Sequence, residues 1–153
     1  MSVRSLPFSV SATVSAVVVA LVVLVGGGAP AAAENPNQAF AGRIMLSSKR
    51  FPLQAKSPSA YTAAIRKQAQ TNFVEAKDSH TWKIYFAGFL KAPLNDLEYA
   101  IKIYDVSGAG QRLLLSFDQF TDTRGMQTIT SNMTLEKAAV GVNKELLMTM
   151  ESK

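Results

Sequence analysis

The chain has no cysteine, one histidine and one tryptophan among its 153 residues. Without cysteine there is no disulfide, no thiolate nucleophile and no thiolate-held zinc. With His80 alone, a Ser–His–Asp triad has a single available base, and that residue sits in the polar turn Ala76 to Thr81. An exposed loop imidazole is the simpler reading. No G-x-S-x-G is present, and Gly108-Ala109-Gly110 reads as a hairpin turn rather than a phosphate-binding loop. The 16 basic residues are scattered, so the positive balance of +5 favours anionic surfaces without a nucleic-acid signature. The six methionines lack the tight Met/His spacing of a copper carrier and read as core filler. No cofactor is implied.

Charge is also missing from one long stretch. After Arg4 no charged residue occurs until Glu34, and Ala16 to Val25 consists of Ala, Val and Leu throughout. Gly26-Gly27-Gly28 and Pro30 stop a helix, and Ala31-Ala32-Ala33 supplies the small residues of a cleavage site after Ala31 or Ala33. A basic start, an apolar core, a breaker and an A-x-A end make residues 1–33 a secretory signal peptide. The competing reading is an uncleaved inner-membrane anchor, since the uncharged run from Ser5 to Ala33 is long enough to span. Ser5, Pro7, Ser9, Ser11, Thr13 and Ser15 dilute its first half, which favours cleavage and leaves no membrane span afterwards. A lipid anchor would need a cysteine. Export without disulfides points to a bacterial envelope, periplasmic or extracellular.

The remaining chain suits one domain. Residues 34–42 read as a flexible lead-in, and 43–153 as a single β-sandwich domain with a helical insertion near 58–70. Arg43 to Ser48 forms a first strand. Ser57 caps a helix with Pro58 at its first position, and Tyr61, Ala64, Ile65 and Ala69 share its inner face. From Phe73 onward the period falls to two. Trp82, Ile84 and Phe86, then Leu97, Tyr99, Ile101 and Ile103, then Leu113, Leu115 and Phe117 alternate with more polar neighbours. Ile129, Met133 and Leu135 do the same, as do Val140, Val142, Leu146, Met148 and Met150. Trp82, Phe86, Phe89, Tyr99 and Phe117 are expected in the core. Turns are expected at 92–96, 107–110, 121–125 and 136–139. The pattern predicts an all-β fold with one short helix: a mainly antiparallel sandwich of six to seven strands, immunoglobulin-like or C2-like in outline, with a partly open barrel as the alternative. No motif of either family is present, and outline alone does not give function.

Three constellations carry candidate chemistry. If the strands around Gly108–Gly110 form a hairpin, paired residue numbers should sum to 217–218, which brings Asp96 near Asp122 and places Asp118 a pleat away. Three carboxylates are Ca²⁺-type ligands, or, as an acid/base pair, the groups of a small extracytoplasmic carboxylate-dependent hydrolase. Arg124, water and turn capping are the plainer partners. The same register sets Asp105 opposite Arg112 as a surface ion pair. Second, pairing of the Trp82 strand with the Tyr99 strand would gather Lys83, Tyr85, Lys102 and Tyr104 on one basic, aromatic face able to hold a glycan or an anionic polymer. Third, Lys49, Arg50, Lys56, Arg66 and Lys67 around the helix form either an anionic-surface patch or a solvated face. Asn132-Met133-Thr134 is a glycosylation sequon lying within a predicted strand. Together these readings favour a non-enzymatic binding or structural module whose partner is an envelope protein, a glycan or an anionic surface. An unprotected Val140–Met150 strand could add a partner's strand.

Overall fold

The computed structural model describes residues 2–4, 8–11 and 34–152; the apolar run 16–25 and the expected cleavage sites lie outside them. In chain order the elements are β1 (Ser2–Arg4), β2 (Phe8–Ser11), α1 (Pro36–Ala39), β3 (Arg43–Ser47), α2 (Pro58–Gln68), β4 (Asn72–Val74), β5 (Thr81–Leu94), β6 (Glu98–Asp105), β7 (Arg112–Phe120), β8 (Met126–Glu136), α3 (Lys137–Val140) and β9 (Lys144–Ser152). From Glu34 onward the chain is mainly antiparallel β, with seven strands and a few short helices. The strands β3-β5-β8 form one three-stranded antiparallel sheet and β7-β6-β9 the other, and the described residues close no barrel. The second edge of β9 carries β1 and β2, and β2 in turn carries β4.

Alternation explains the layering. Trp82, Ile84 and Phe86 of β5 and Ile129, Met133 and Leu135 of β8 bury the same core as Tyr99, Ile101 and Ile103 of β6 and Leu146, Met148 and Met150 of β9. Two half-apolar sheets hide their inward faces from water only by stacking on one another. Gly88 permits a close approach there: a Cβ on it would lie 2.8 Å from the Met150 methyl. The β6–β7 hairpin keeps the expected register. Pairs sum to 218 from Glu98↔Phe120 to Ile103↔Leu115, then to 217 at Tyr104↔Leu113 and Asp105↔Arg112. The register shift marks a bulge, after which Leu114 rather than Leu113 packs on the core, leaving Leu113 half exposed.

β5 buries both faces midway. Ala87 and Phe89, on its outer side, join Phe40, Phe51 and Ile65 in a second core under α2. Phe89 is therefore core, but not in the layer of Trp82. Ser57 caps α2 as its sequence predicts, its Oγ accepting from the Ala60 N–H at 3.1 Å. Thr62 and Ile65 are the helix residues that bury fully. The Thr62 hydroxyl has its oxygen 3.0 Å from the Pro58 carbonyl and 3.1 Å from that of Glu34.

The lead-in expected to be flexible over 34–42 is packed instead. Asn35 caps α1, Phe40 stacks 4.9 Å from Phe89, and Arg66 donates to both Glu34 carboxylate oxygens at 2.7 and 2.8 Å. The buried aromatic ring outweighs the polar composition of its neighbours. The expected turn at 136–139 is α3, ended by Gly141 at φ +76.

Candidate functional site

β5 and β6 do not pair, which corrects the expectation for the four-residue face: Lys83 and Tyr85 lie on one outer face of the sandwich, Lys102 and Tyr104 on the other. The continuous apolar run Phe86–Leu90 is the cause. A strand buried on both faces is central, and β3 and β8 already hold its two edges. Lys102 is also committed, since its ammonium donates to Glu151 at 2.6 Å. The Lys83 ammonium lies 5.5 Å over the Tyr85 ring.

The first pair gains new neighbours in place of the second. Register sets Lys83 opposite Thr134, Tyr85 opposite Asn132, Ala87 opposite Thr130 and Phe89 opposite Thr128. The polar phase of β8 thus runs beside the tyrosine as a row of hydroxyls and an amide. Helix α2 covers the Ala87–Phe89 half of this face, and beside its first turn a cleft of about 680 Å³ opens. Tyr61, Leu53, Lys56, Asn35, Thr128 and Thr130 line it, with no Asp or Glu in its wall. Leu53 and Thr130 continue into a smaller recess, again without a carboxylate, bounded by Arg50, Tyr85 and Asn132. Tyr61 is half-buried, which pushes its hydroxyl pKa up by desolvation. Thr128 is fixed by its Oγ1 contact with Asn37 Oδ1. Leu53 is 68% exposed, leaving an apolar rim at the mouth.

Sequence reasoning placed Tyr61 on the packed face of α2 and read Lys56 as part of a helix patch. The polar phase of β8 was visible, but its position beside α2 depends on pairings between distant segments. Of the basic group around the helix, Arg66 is spent on Glu34 and on the Phe40 ring. Lys56 and Arg50 face the two recesses, and Lys49 and Lys67 are exposed elsewhere.

The acidic group does not assemble. Asp96, Asp118 and Asp122 are all exposed, and among the described residues no three His, Asp or Glu side chains converge enough to hold a metal ion. The hairpin register is as expected, but Asp118 sits on β7 across from Ala100, and Asp96 borders a separate apolar cleft with Leu94 and Tyr99. Burial pushes the Tyr99 hydroxyl up to about 12.

The ion pair at the closed end of the hairpin is larger than a surface pair. Asp105 accepts from Lys144 at 2.9 Å, Arg112 at 3.2 Å and the Ser107 N–H at 3.0 Å, and its carboxylate is 9% exposed. The Lys144 ammonium, then the Ser107 N–H, hold this carboxyl well below the usual range.

His80 has a partner that its spacing did not reveal. Its Nδ1 lies 2.5 Å from Glu75 Oε1, and Lys137 Nζ reaches the same carboxylate at 3.3 Å. Hydrogen bonding to His80 and then to Lys137 lowers the Glu75 pKa. The nearby Ser79 hydroxyl is engaged with Thr81 at 2.7 Å. No protein-family model matches the chain, and no curated protein or solved structure matches it either.

Proposed function

We propose that this chain is an exported, non-enzymatic binding module of the bacterial cell envelope, and that the cleft between α2, the 53–58 loop and β8 holds an anionic glycan-type polymer. The observation that carries this reading is the cleft wall itself: tyrosine, threonine hydroxyls and lysine around about 680 Å³, with no carboxylate among them. A sugar ring presents an apolar face that packs on an aromatic side chain, while its hydroxyls exchange hydrogen bonds with Thr and Asn. Acidic groups on such a polymer meet Lys56 and Arg50 without a competing protein anion in either recess. A linear chain can continue from Tyr61 past Thr130 to Tyr85.

The test is titration of the purified protein with an acidic polysaccharide and with a neutral one of equal length. Tyr61→Ala and Lys56→Ala should each weaken acidic-polymer binding about tenfold, in the range of an aromatic anchor or a desolvated charge contact. Lys102→Ala and Tyr104→Ala, on the opposite face, should leave it unchanged. Equal loss from both faces, or equal affinity for the neutral polymer, defeats the reading.

A further inference from the structure

The lane between β4 and β9 is filled by a part of the chain that export takes away. β2 pairs parallel with β4 through Ser9↔Asn72, Val10↔Phe73 and Ser11↔Val74. On its other side it pairs antiparallel with β9 through Phe8↔Leu146, Ser9↔Glu145 and Val10↔Lys144. β1 continues along the same edge of β9, from Ser2↔Glu151 to Arg4↔Thr149. Phe8 is 1% exposed and meets the Phe73 ring edge-on, with centroids 5.8 Å apart at 81°. This is a core position, yet it belongs to the stretch with the pattern of a secretory signal.

Both fates of that stretch empty the lane. Cleavage after Ala31 or Ala33 removes β1 and β2 outright. Retention as an anchor leaves the basic N-terminus on the cytoplasmic side, away from a translocated domain. The gap left behind is two strand spacings wide, about 9–10 Å, so β4 and β9 cannot bond across it as they stand. Backbone groups on both sides, and the hole beside Phe73, then lack partners. β6 holds the other edge of β9, so the acceptor stays in the sheet.

We propose that this lane is a strand-acceptor slot, filled in the exported chain by an extended segment of a partner protein with an aromatic side chain at the place of Phe8. The present occupant shows what fits: Phe8-Ser9-Val10-Ser11 alternates apolar and small polar residues. Backbone pairing on both sides supplies affinity, and the aromatic socket supplies selectivity. A second exported copy has lost this segment in the same way, so the donor is a different protein. The inference shares the export expectation but does not depend on the polysaccharide cleft.

The test starts from the full chain with a protease site inserted before Glu34, folded and then cut. A labelled peptide of residues 2–11 is titrated into cut and uncut protein, beside the same peptide with Phe8→Ala. The cut protein should bind the peptide while the uncut protein does not, and Phe8→Ala should weaken binding about tenfold or more. Hydrogen exchange at Lys144 to Leu146 should slow on peptide addition. If cutting unfolds the domain, recovery of near-UV circular dichroism on adding the peptide supports the slot. No binding and no recovery, equal binding to uncut protein, or indifference to Phe8→Ala overturns it. Polysaccharide affinity measured on the same samples keeps failure of the slot separate from failure of the cleft.

Discussion

The two flanks of the β6–β9 sheet are built on opposite principles. On one side β7 folds back on β6 through a short turn, pairing residues 7 apart at its closed end, Asp105 with Arg112. On the other, β9 meets β2 and β1 from the far end of the chain, and β2 brings in β4 with parallel pairing. The first flank is local, antiparallel and fixed by charge at its tip. The second depends on long-range closure and on one aromatic ring. Local pairing costs little loop entropy and survives changes to the rest of the chain. Long-range pairing survives only while its segment is present, which is what makes that flank exchangeable.

The sharpest way to break the comparison is to remove a phenylalanine from each flank in the full chain. Phe8 is 1% exposed and Phe120, at the end of β7, is 73% exposed. Phe8→Ala should cost about 3–5 kcal/mol in urea unfolding, the usual range for a fully buried ring. Phe120→Ala should stay within about 0.5 kcal/mol. Equal small effects would mean that the β2 lane is not part of the cooperative core.

A smaller effect sharpens the local flank. The Asp105 carboxyl is held below its ordinary value of 3.8 by Lys144 and by the Ser107 N–H. A carboxyl with a depressed folded-state pKa contributes stability that is complete above the ordinary value and is lost as pH falls from there towards the folded value. Urea midpoints should therefore hold steady from neutral pH to about 5 and then decline more steeply in the native chain than in Asp105→Asn. Lys144→Met should remove more of the difference than Arg112→Met, because Lys144 is nearer, at 2.9 against 3.2 Å, and less exposed. Parallel acid profiles for native and Asp105→Asn proteins would show that the cluster adds nothing.

The same contrast explains what was legible in the sequence. The β6–β7 register follows from a turn signal and alternation because both are local, while the bulge that turns Leu114 rather than Leu113 inward breaks that alternation and carried no signal of its own. The Ser57 cap and Pro58 start of α2 are local as well. The pairing that would have joined Tyr85 to Tyr104 failed because it treated neighbours in sequence as neighbours in a sheet. Phe86–Leu90 carried the contrary signal: five residues without alternation demand cover on both faces. The cleft needed three facts at once, the start of α2, the β5–β8 register and the path of residues 53–58, and only the first is written in local residues. Glu75 beside His80 was within reach, five residues away across a turn, but nothing in the spacing tells a partner carboxylate from a solvated one. The β2 lane was hidden more deeply, because Phe8 lies in a segment whose composition signals export rather than a core.

The smallest prediction tests whether the hairpin tip limits the local flank. Gly108 and Gly110 both have open space where a Cβ would go, but Gly110 sits at φ +105 and Gly108 is not among the positive-φ glycines. Alanine at Gly108 meets no clash and narrows the unfolded ensemble, so Gly108→Ala should stabilise by about 0.4–1 kcal/mol. Gly110→Ala forces an L-residue into a conformation that side chains rarely adopt and should destabilise by about 1 kcal/mol or more. Opposite signs two residues apart, read as urea midpoints, would tie the flank's stability to backbone conformation at its tip. Two changes of the same sign would place control instead with the Asp105 cluster, one turn further into the sheet.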